Sequence, residues 1–169
     1  MGNIFKYIII SIIILLLQVL VLNNLSISGY AVPFVYLWII LRLPESLSRS
    51  LVIALGFLIG LFIDIFCNTP GMHALATTII AYLKDPVTLL YVPREEIKSA
   101  SISISGLGIA IYVKLLLTIV MIFCISIYVI EAFTFLNPIH LLLKIGTSFV
   151  STFILILALD RMNILGKSF

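Results

Sequence analysis

Three residues at helical spacing could form a site inside an apolar stretch of this chain. Gly56, Gly60 and Asp64 lie four residues apart, so on a helix they share one face. Bare glycine backbone lets a neighbouring helix approach closely, and a carboxylate within an apolar run is costly unless it has a partner or reaches the interface. The spacing therefore predicts a close helix contact that ends at an acid, and Asp64 is interpreted as a site residue.

A tight polar turn, residues 68–71, separates Asp64 from His73, and the two side chains could meet across it. A structural hydrogen bond that fixes the hairpin is the favoured interpretation, and a proton relay is the alternative. If Asp64 only accepts hydrogen bonds, an asparagine at this position retains an acceptor and is expected to be tolerated.

Other chemistry is not apparent in the sequence. His73 and His140 are the only histidines, and neither has a second ligand at metal-binding spacing on its own helix. Cys67 and Cys124 lie in apolar runs, which favours small buried side chains over a disulfide or a redox pair. The sequence contains no nucleophile elbow, zinc-binding helix, P-loop or dinucleotide fingerprint. We therefore expect a protein that is not an enzyme and that has no metal or cofactor.

Composition places these residues in a membrane. Of the 169 residues, 63% are hydrophobic and 10% are charged, whereas soluble domains contain about 25% charged residues. The ten basic residues are scattered singly, which argues against nucleic-acid binding despite the net charge of +3. The chain is predicted to be an all-α integral membrane protein with a single transmembrane domain over residues 1–169.

Apolar runs predict a bundle of six transmembrane helices. The predicted spans are residues 4–23, 30–43, 47–67, 71–91, 109–130 and 139–159. The first could be a signal peptide, but the cleavage pattern after it is weak, so a retained helix is favoured, in which Gln18 needs a hydrogen-bond partner. Pro86 either kinks the fourth helix or ends it with residues 87–92 on the interface, and the second interpretation is favoured.

The second predicted helix is short. Residues 30–43 give only about 21 Å as a helix, so this segment either re-enters or crosses a thinned bilayer. Basic residues decide between these options, because eight of them fall on one side of a six-span arrangement. These are Lys6, Arg42, Arg49, Lys84, Arg94, Lys98, Arg161 and Lys167. The positive-inside rule then predicts that the short segment crosses, that both termini are cytoplasmic, and that Asp64 and His73 face outward.

The central hairpin resembles that of the rod-shape-determining protein MreD family of bacteria. The family's GF-x-x-GL-x-x-D pattern is similar to the stretch that contains Gly56, Phe57, Gly60 and Asp64. The family's G-x-HA pattern is similar to Gly71 and His73 with the following alanine. Weaker matches occur at Gln18, Pro33, Tyr36, Leu43, Pro44, Pro93, Arg94 and Glu95. Family members often carry arginine near the position of Lys84.

The resemblance implies a non-enzymatic component of the cell-elongation machinery in the bacterial inner membrane. Its partner would be MreC, which would connect it to the MreB filament, a RodA-type glycosyltransferase and a penicillin-binding transpeptidase. The residues expected to mediate helix packing or partner interaction are Gly56, Phe57, Gly60, Asp64, Gly71, His73, Gln18 and Arg94. The family fold is similar to the substrate-binding subunits of energy-coupling-factor transporters, so a small-molecule-binding subunit of a vitamin transporter is the alternative function. An assembly factor or lipid-handling protein is a third.

Overall fold

A computed structural model describes residues 2–23, 32–44, 46–93, 102, 104–132 and 138–162. These residues form helices and connections, with no strand among them. The helices are α1 (Gly2–Leu17, continued by a π-helical turn, Gln18–Leu22), α2 (Leu37–Leu41), α3 (Arg49–Cys67), α4 (Met72–Tyr91), α5 (Ile104–Leu107), α6 (Ile109–Ala132) and α7 (Pro138–Arg161). The all-helical prediction is confirmed for this part of the chain.

Four helices in the described ranges are long and apolar enough to cross a membrane. They are Phe5–Leu22, Arg49–Cys67, Ile109–Glu131 and Ile139–Arg161. Each carries large apolar side chains on the outside of the bundle, such as Ile13, Leu58, Val129 and Ile154. Such a surface is unsuited to water, so the helices indicate a membrane protein. The α4 helix has 20 residues but contains Lys84 and Asp85, and it is not among the four.

The predicted hairpin forms the most extensive helix contact of the bundle, between α3 and α4. The α4 helix also packs on α6, which in turn packs on α7. Two residues of the hairpin turn have left-handed backbone: Asn68, with φ of 53°, and Gly71, with φ of 78°. Asparagine and glycine adopt this conformation most readily, so the residue types of residues 68–71 allow a tight reversal.

The second predicted span does not form the helix expected over residues 30–43. Residues 32–34 are non-helical, helix α2 extends only from Leu37 to Leu41, and the chain then turns at Arg42. Residues 30 and 31 lie outside the described residues. The side chains from Phe34 to Leu43 are all buried, none more than 9% exposed. We call residues 32–43 the core segment, because the long helices of the bundle surround it.

Two elements supply the hydrogen bonds that a longer helix would have made for itself. Gln18 of the π-helical turn donates to the Pro33 carbonyl at 2.9 Å and accepts from Val35 N at 2.9 Å. Thr152 of α7 accepts from Phe34 N at 2.9 Å. Irregular backbone at membrane depth is tolerated where protein buries and satisfies it. A sequence window cannot anticipate these long-range bonds, which is why the helix prediction was wrong here.

The interpretation that Pro86 ends the fourth helix was also wrong. The α4 helix continues through Pro86 to Tyr91, and Val87 and Thr88 are buried in the bundle. Proline cannot donate to the carbonyl four residues earlier, which is that of Tyr82. That carbonyl accepts instead from Arg49 Nη2 of α3 at 3.2 Å, and the Arg49 guanidinium lies 4.3 Å from the centre of the Tyr82 ring. A tertiary contact thus replaces the bond that proline removes.

Candidate helix-packing site

Asp64 accepts hydrogen bonds from the N-terminus of the next helix. Its Oδ1 accepts from His73 N at 3.0 Å and its Oδ2 accepts from Ala74 N at 2.7 Å, while the Thr69 hydroxyl also donates to Oδ1. The N-cap residue of α4 is Gly71, which has no side chain to cap these N–H groups. Asp64 therefore supplies, from the preceding helix, the acceptor that a capping serine or aspartate would provide. A buried carboxylate is also favoured by the positive end of the helix dipole.

The two glycines of the stripe lie where α4 approaches α3 most closely. A Cβ built on Gly60 would lie 2.5 Å from both the Ala74 Cα and the His73 carbonyl oxygen and would also meet the Thr77 hydroxyl. A Cβ on Gly56 would lie 2.7 Å from the Ala81 Cβ. Real Cβ atoms do not approach other atoms so closely. The contact between α3 and α4 therefore requires glycine at both positions, and more strictly at Gly60 than at Gly56.

Phe57 is not part of this contact. Its side chain is 46% exposed, on the outer surface of α3, although it stands next to Gly56 in the chain. Successive residues on a helix point about 100° apart, so a neighbour of a packed glycine need not share its contact. Arg94, the last of the expected site residues, lies outside the described residues.

His73 also joins the hairpin to the core segment. Its Nδ1 lies 2.7 Å from the Tyr36 hydroxyl, and both side chains are buried. The rings of Phe34 and Phe123 pack around the pair, with the Phe123 ring 5.9 Å from that of Tyr36, edge to face. The Asp64 carboxylate contacts the His73 backbone and not the imidazole. The contact across the turn is thus a backbone cap, and the ring makes a separate hydrogen bond.

Gln18 lies on a different element from the hairpin, in the π-helical turn that follows α1. It is fully buried and holds residues 33–35 of the core segment through the two bonds described above. The Tyr36 hydroxyl at the end of the same stretch reaches His73. Gln18, Tyr36, His73 and Asp64 therefore form a chain of contacts from α1 through the core segment to the α3–α4 hairpin.

A second polar cluster, which the sequence interpretation missed, lies at the other end of the core segment. Arg42 forms an ion pair with Asp160 of α7, and Asp160 Oδ2 also accepts from Ile104 N at 2.9 Å. Lys84 of α4 donates to the Leu43 carbonyl at 2.8 Å. All three charged side chains are buried. The sequence analysis used Arg42 and Lys84 only as charges that report topology, and it did not predict this cluster.

A signal for the cluster is present in the sequence, although a weak one. Three charged residues each adjoin an apolar run: Arg42, Lys84 and Asp160. If all three reach the same end of the bundle, the acidic side chain neutralises one of the two basic ones. Buried charges are usually paired, so opposite charges next to different spans are candidates for an ion pair. Only the tertiary structure selects which of several such charges meet.

The arrangement as a whole holds helices together. In the described residues no group of three or more His, Cys, Asp or Glu side chains could hold a metal ion. Asp64 has both carboxylate oxygens engaged by N–H groups, and Gln18 is engaged by backbone on both sides of its amide. Comparisons with protein-family models, with curated proteins and with solved structures found no match to this chain.

Proposed function

We propose that this protein is a non-enzymatic membrane scaffold of the bacterial cell-elongation machinery, of the MreD type. In this proposal it pairs with MreC in the inner membrane and supports lateral peptidoglycan synthesis by a RodA-type glycosyltransferase and a penicillin-binding transpeptidase. The MreB filament is reached indirectly, through MreC.

One observation supports this proposal above the others. The residues on which the family resemblance rests most strongly, Gly56, Gly60, Asp64, Gly71 and His73, converge on one structural unit, the closely packed and capped α3–α4 hairpin. Each has a role there that its residue type explains. A rigid hairpin with engaged polar groups suits a scaffold, which must present a fixed surface to its partners.

The transporter alternative has one feature in its favour. Broken helices near the membrane midplane often form the binding sites of transporters, and the core segment is such a break. In those proteins the unwound backbone faces the ligand. Here the Phe34 and Val35 N–H groups and the Pro33 carbonyl are bonded to Thr152 and Gln18. The scaffold therefore remains the preferred function.

We further propose six membrane crossings with both termini in the cytoplasm. The α4 helix packs along α3 after a short turn, which supports a crossing by α4 of the same thickness. The core segment contacts α7 from Thr152 to Asp160, about 12 Å of helix, through Phe34 and Arg42. Its start, residues 32–34, is not helical, and non-helical chain can span more distance than a helix of equal length, which supports a full crossing.

Cysteine labelling tests this topology. In a background with Cys67→Ala and Cys124→Ala, Pro70→Cys in the exposed hairpin turn should react with an impermeant maleimide in intact cells. Ser46→Cys, exposed at the opposite end of α3, should react only after permeabilisation. Labelling of Ser46→Cys in intact cells would contradict the orientation.

The scaffold function is tested by depletion in the organism that encodes the protein, which on this proposal is a rod-shaped bacterium. Depletion should make the cells round, and expression of the wild type should restore width and co-purification of MreC. Gly60→Leu should fail in both assays, whereas Gly146→Leu should restore both, because no atom lies within 4 Å of a Cβ at Gly146. Unchanged width together with loss of uptake of a vitamin would support the transporter in place of the scaffold.

A further inference from the structure

Two lysines lie at the same distance from the start of a membrane-spanning helix. Lys114 follows the first residue of Ile109–Glu131 by five positions, and Lys144 follows the first residue of Ile139–Arg161 by five. A charge at this depth is costly and is usually paired. Lys144 forms an ion pair with Glu131. Within the part of the chain that the structure describes, the Lys114 ammonium has neither an ion pair nor a hydrogen bond.

The Lys114 side chain lies on the outside of the bundle, where it is exposed. Leu117 and Met121 follow on the same face of α6, three and seven residues later, and they are 37% and 41% exposed. This strip of α6 is therefore outer surface. In a bilayer, lipid covers the outer surface of a spanning helix wherever no partner protein displaces it. The ammonium thus meets lipid first.

Two hydroxyl groups next to Lys114 are satisfied within the protein. The Thr118 hydroxyl donates to the Lys114 carbonyl at 3.0 Å. The Tyr91 hydroxyl of α4 lies 2.8 Å from the Thr118 oxygen, and since the Thr118 hydrogen is already used, Tyr91 donates to Thr118. Both hydroxyl hydrogens therefore have protein acceptors. Of the three polar side chains in this patch, Lys114 is the one that offers donors to an external acceptor.

The depth of Lys114 selects the acceptor. Five residues of helix place its Cα about 7.5 Å from the start of the span. Long side chains on a helix point back toward its N-terminus, which for α6 is the direction of the near interface. The ammonium can therefore reach the level of the lipid headgroups while the apolar stem of the side chain stays in the hydrocarbon region. The charged acceptor at that level is the lipid phosphate.

We propose that Lys114 binds the phosphate of an anionic phospholipid in the leaflet where α6 begins, with Leu117 and Met121 against an acyl chain of that lipid. Phosphatidylglycerol carries a net negative charge, whereas the choline group of phosphatidylcholine neutralises its phosphate, so the anionic lipid is preferred. With the six crossings proposed above, this leaflet is the cytoplasmic one, whose anionic lipids attract basic residues. The site does not depend on the scaffold function.

Photo-cross-linking tests the site on the full chain in nanodiscs. Phosphatidylglycerol and phosphatidylcholine that carry a diazirine in the headgroup are the probes, and peptide mass spectrometry locates the adducts. In the wild type, phosphatidylglycerol should label residues 109–118 more strongly than phosphatidylcholine. Lys114→Gln should reduce this labelling to the phosphatidylcholine level, whereas Lys114→Arg should retain it because the charge remains. Lys144→Gln is the matched control and should retain full labelling, because Glu131 already neutralises Lys144.

Thermal unfolding in the same nanodiscs shows that each variant is folded. Equal labelling by the two probes would overturn the proposal, as would equal losses in Lys114→Gln and Lys144→Gln. A loss of labelling in folded Lys114→Arg would contradict recognition by charge. Inorganic phosphate should not compete beyond a chloride control of equal ionic strength; specific competition would assign the site to a free anion. Absence of lipid adducts, together with cross-linking from position 114 to a second protein in cells, would replace the lipid by a protein partner.

Discussion

Glycine at position 60 is the residue on which the hairpin contact depends most. Gly60→Ala should lower stability by about 1–3 kcal/mol, because the added methyl meets backbone atoms of α4 that cannot move independently. Gly56→Ala should cost less, since its added methyl would lie 2.7 Å from the Ala81 Cβ and 3.1 Å from the Thr77 carbonyl oxygen, farther than the contacts at Gly60. Gly146→Ala is the control, and it should be neutral or stabilising by up to about 1 kcal/mol. Thermal unfolding in nanodiscs measures all three.

A loss of stability in the Gly146 variant equal to that of the Gly60 variant would show that helix propensity or expression, and not the close contact, determines the outcome. Equal effects at positions 56 and 60 would show that α4 adjusts its distance from α3 freely.

The hydrogen bonds of Asp64 lead us to expect that an amide at this position is tolerated less well than the sequence context suggests. Its two oxygens accept from two different backbone N–H groups, those of His73 and Ala74. Asparagine has one carbonyl oxygen, so its NH₂ group would face one of these donors. Asp64→Asn should therefore destabilise the protein by about 1–3 kcal/mol. Thr69→Val, which removes only the hydroxyl bond to Oδ1, should have a smaller effect.

Hydrogen exchange at the start of α4 provides the measurement for position 64. Faster exchange of the His73 and Ala74 amides is expected in Asp64→Asn but not in Thr69→Val. If the asparagine variant had normal stability and normal exchange, the expectation of a tolerated amide would be correct and the cap would be dispensable.

At the scale of elements, the core segment depends on side chains that replace its missing helical bonds. Thr152→Val preserves shape but leaves the buried Phe34 N–H without its acceptor, which should cost about 1–3 kcal/mol. Gln18→Leu removes partners from both Pro33 and Val35 and should cost more. The matched control is Thr147→Val, an exposed threonine of α7 whose hydroxyl bonds only to its own helix.

Unfolding temperature and protease sensitivity of residues 32–36 check this prediction. The order of loss should be Gln18→Leu, then Thr152→Val, with Thr147→Val near the wild type. A Gln18→Leu variant as stable as the control would mean that the segment forms other hydrogen bonds or that apolar packing alone holds it.

At the scale of the whole molecule, the Arg42–Asp160 pair connects the core segment to the last helix. Asp160→Leu alone leaves a buried guanidinium without its carboxylate and should cost about 3–5 kcal/mol. Adding Arg42→Met should recover much of that loss, because two apolar side chains can replace a buried pair. The Lys144–Glu131 pair, which is partly exposed, is the control.

A double-mutant cycle on each pair gives the coupling energies. We expect at least about 2 kcal/mol for the Arg42–Asp160 pair and less than about 1 kcal/mol for the Lys144–Glu131 pair, since solvent screens the latter. Equal couplings would contradict a special role for the buried pair in closing the bundle.

Local sequence determined much of the hairpin. The spacing of Gly56, Gly60 and Asp64 places them on one helix face, and residue types at positions 68–71 allow the left-handed backbone of the turn. These are short-range properties, since helical periodicity and backbone preference act within a few residues. The positions of α1, α3, α6 and α7 follow from apolar runs for the same reason.

Tertiary structure alone decided the rest. Residues 32–36 are apolar enough for a helix, but the N–H groups of Phe34 and Val35 bond to Thr152 and Gln18, which are remote in sequence. Likewise the α4 helix continues past Pro86, and Arg49 of α3 donates to the Tyr82 carbonyl that proline leaves without a donor. In a membrane every buried backbone group needs a partner, and when that partner is far along the chain no local pattern can reveal it.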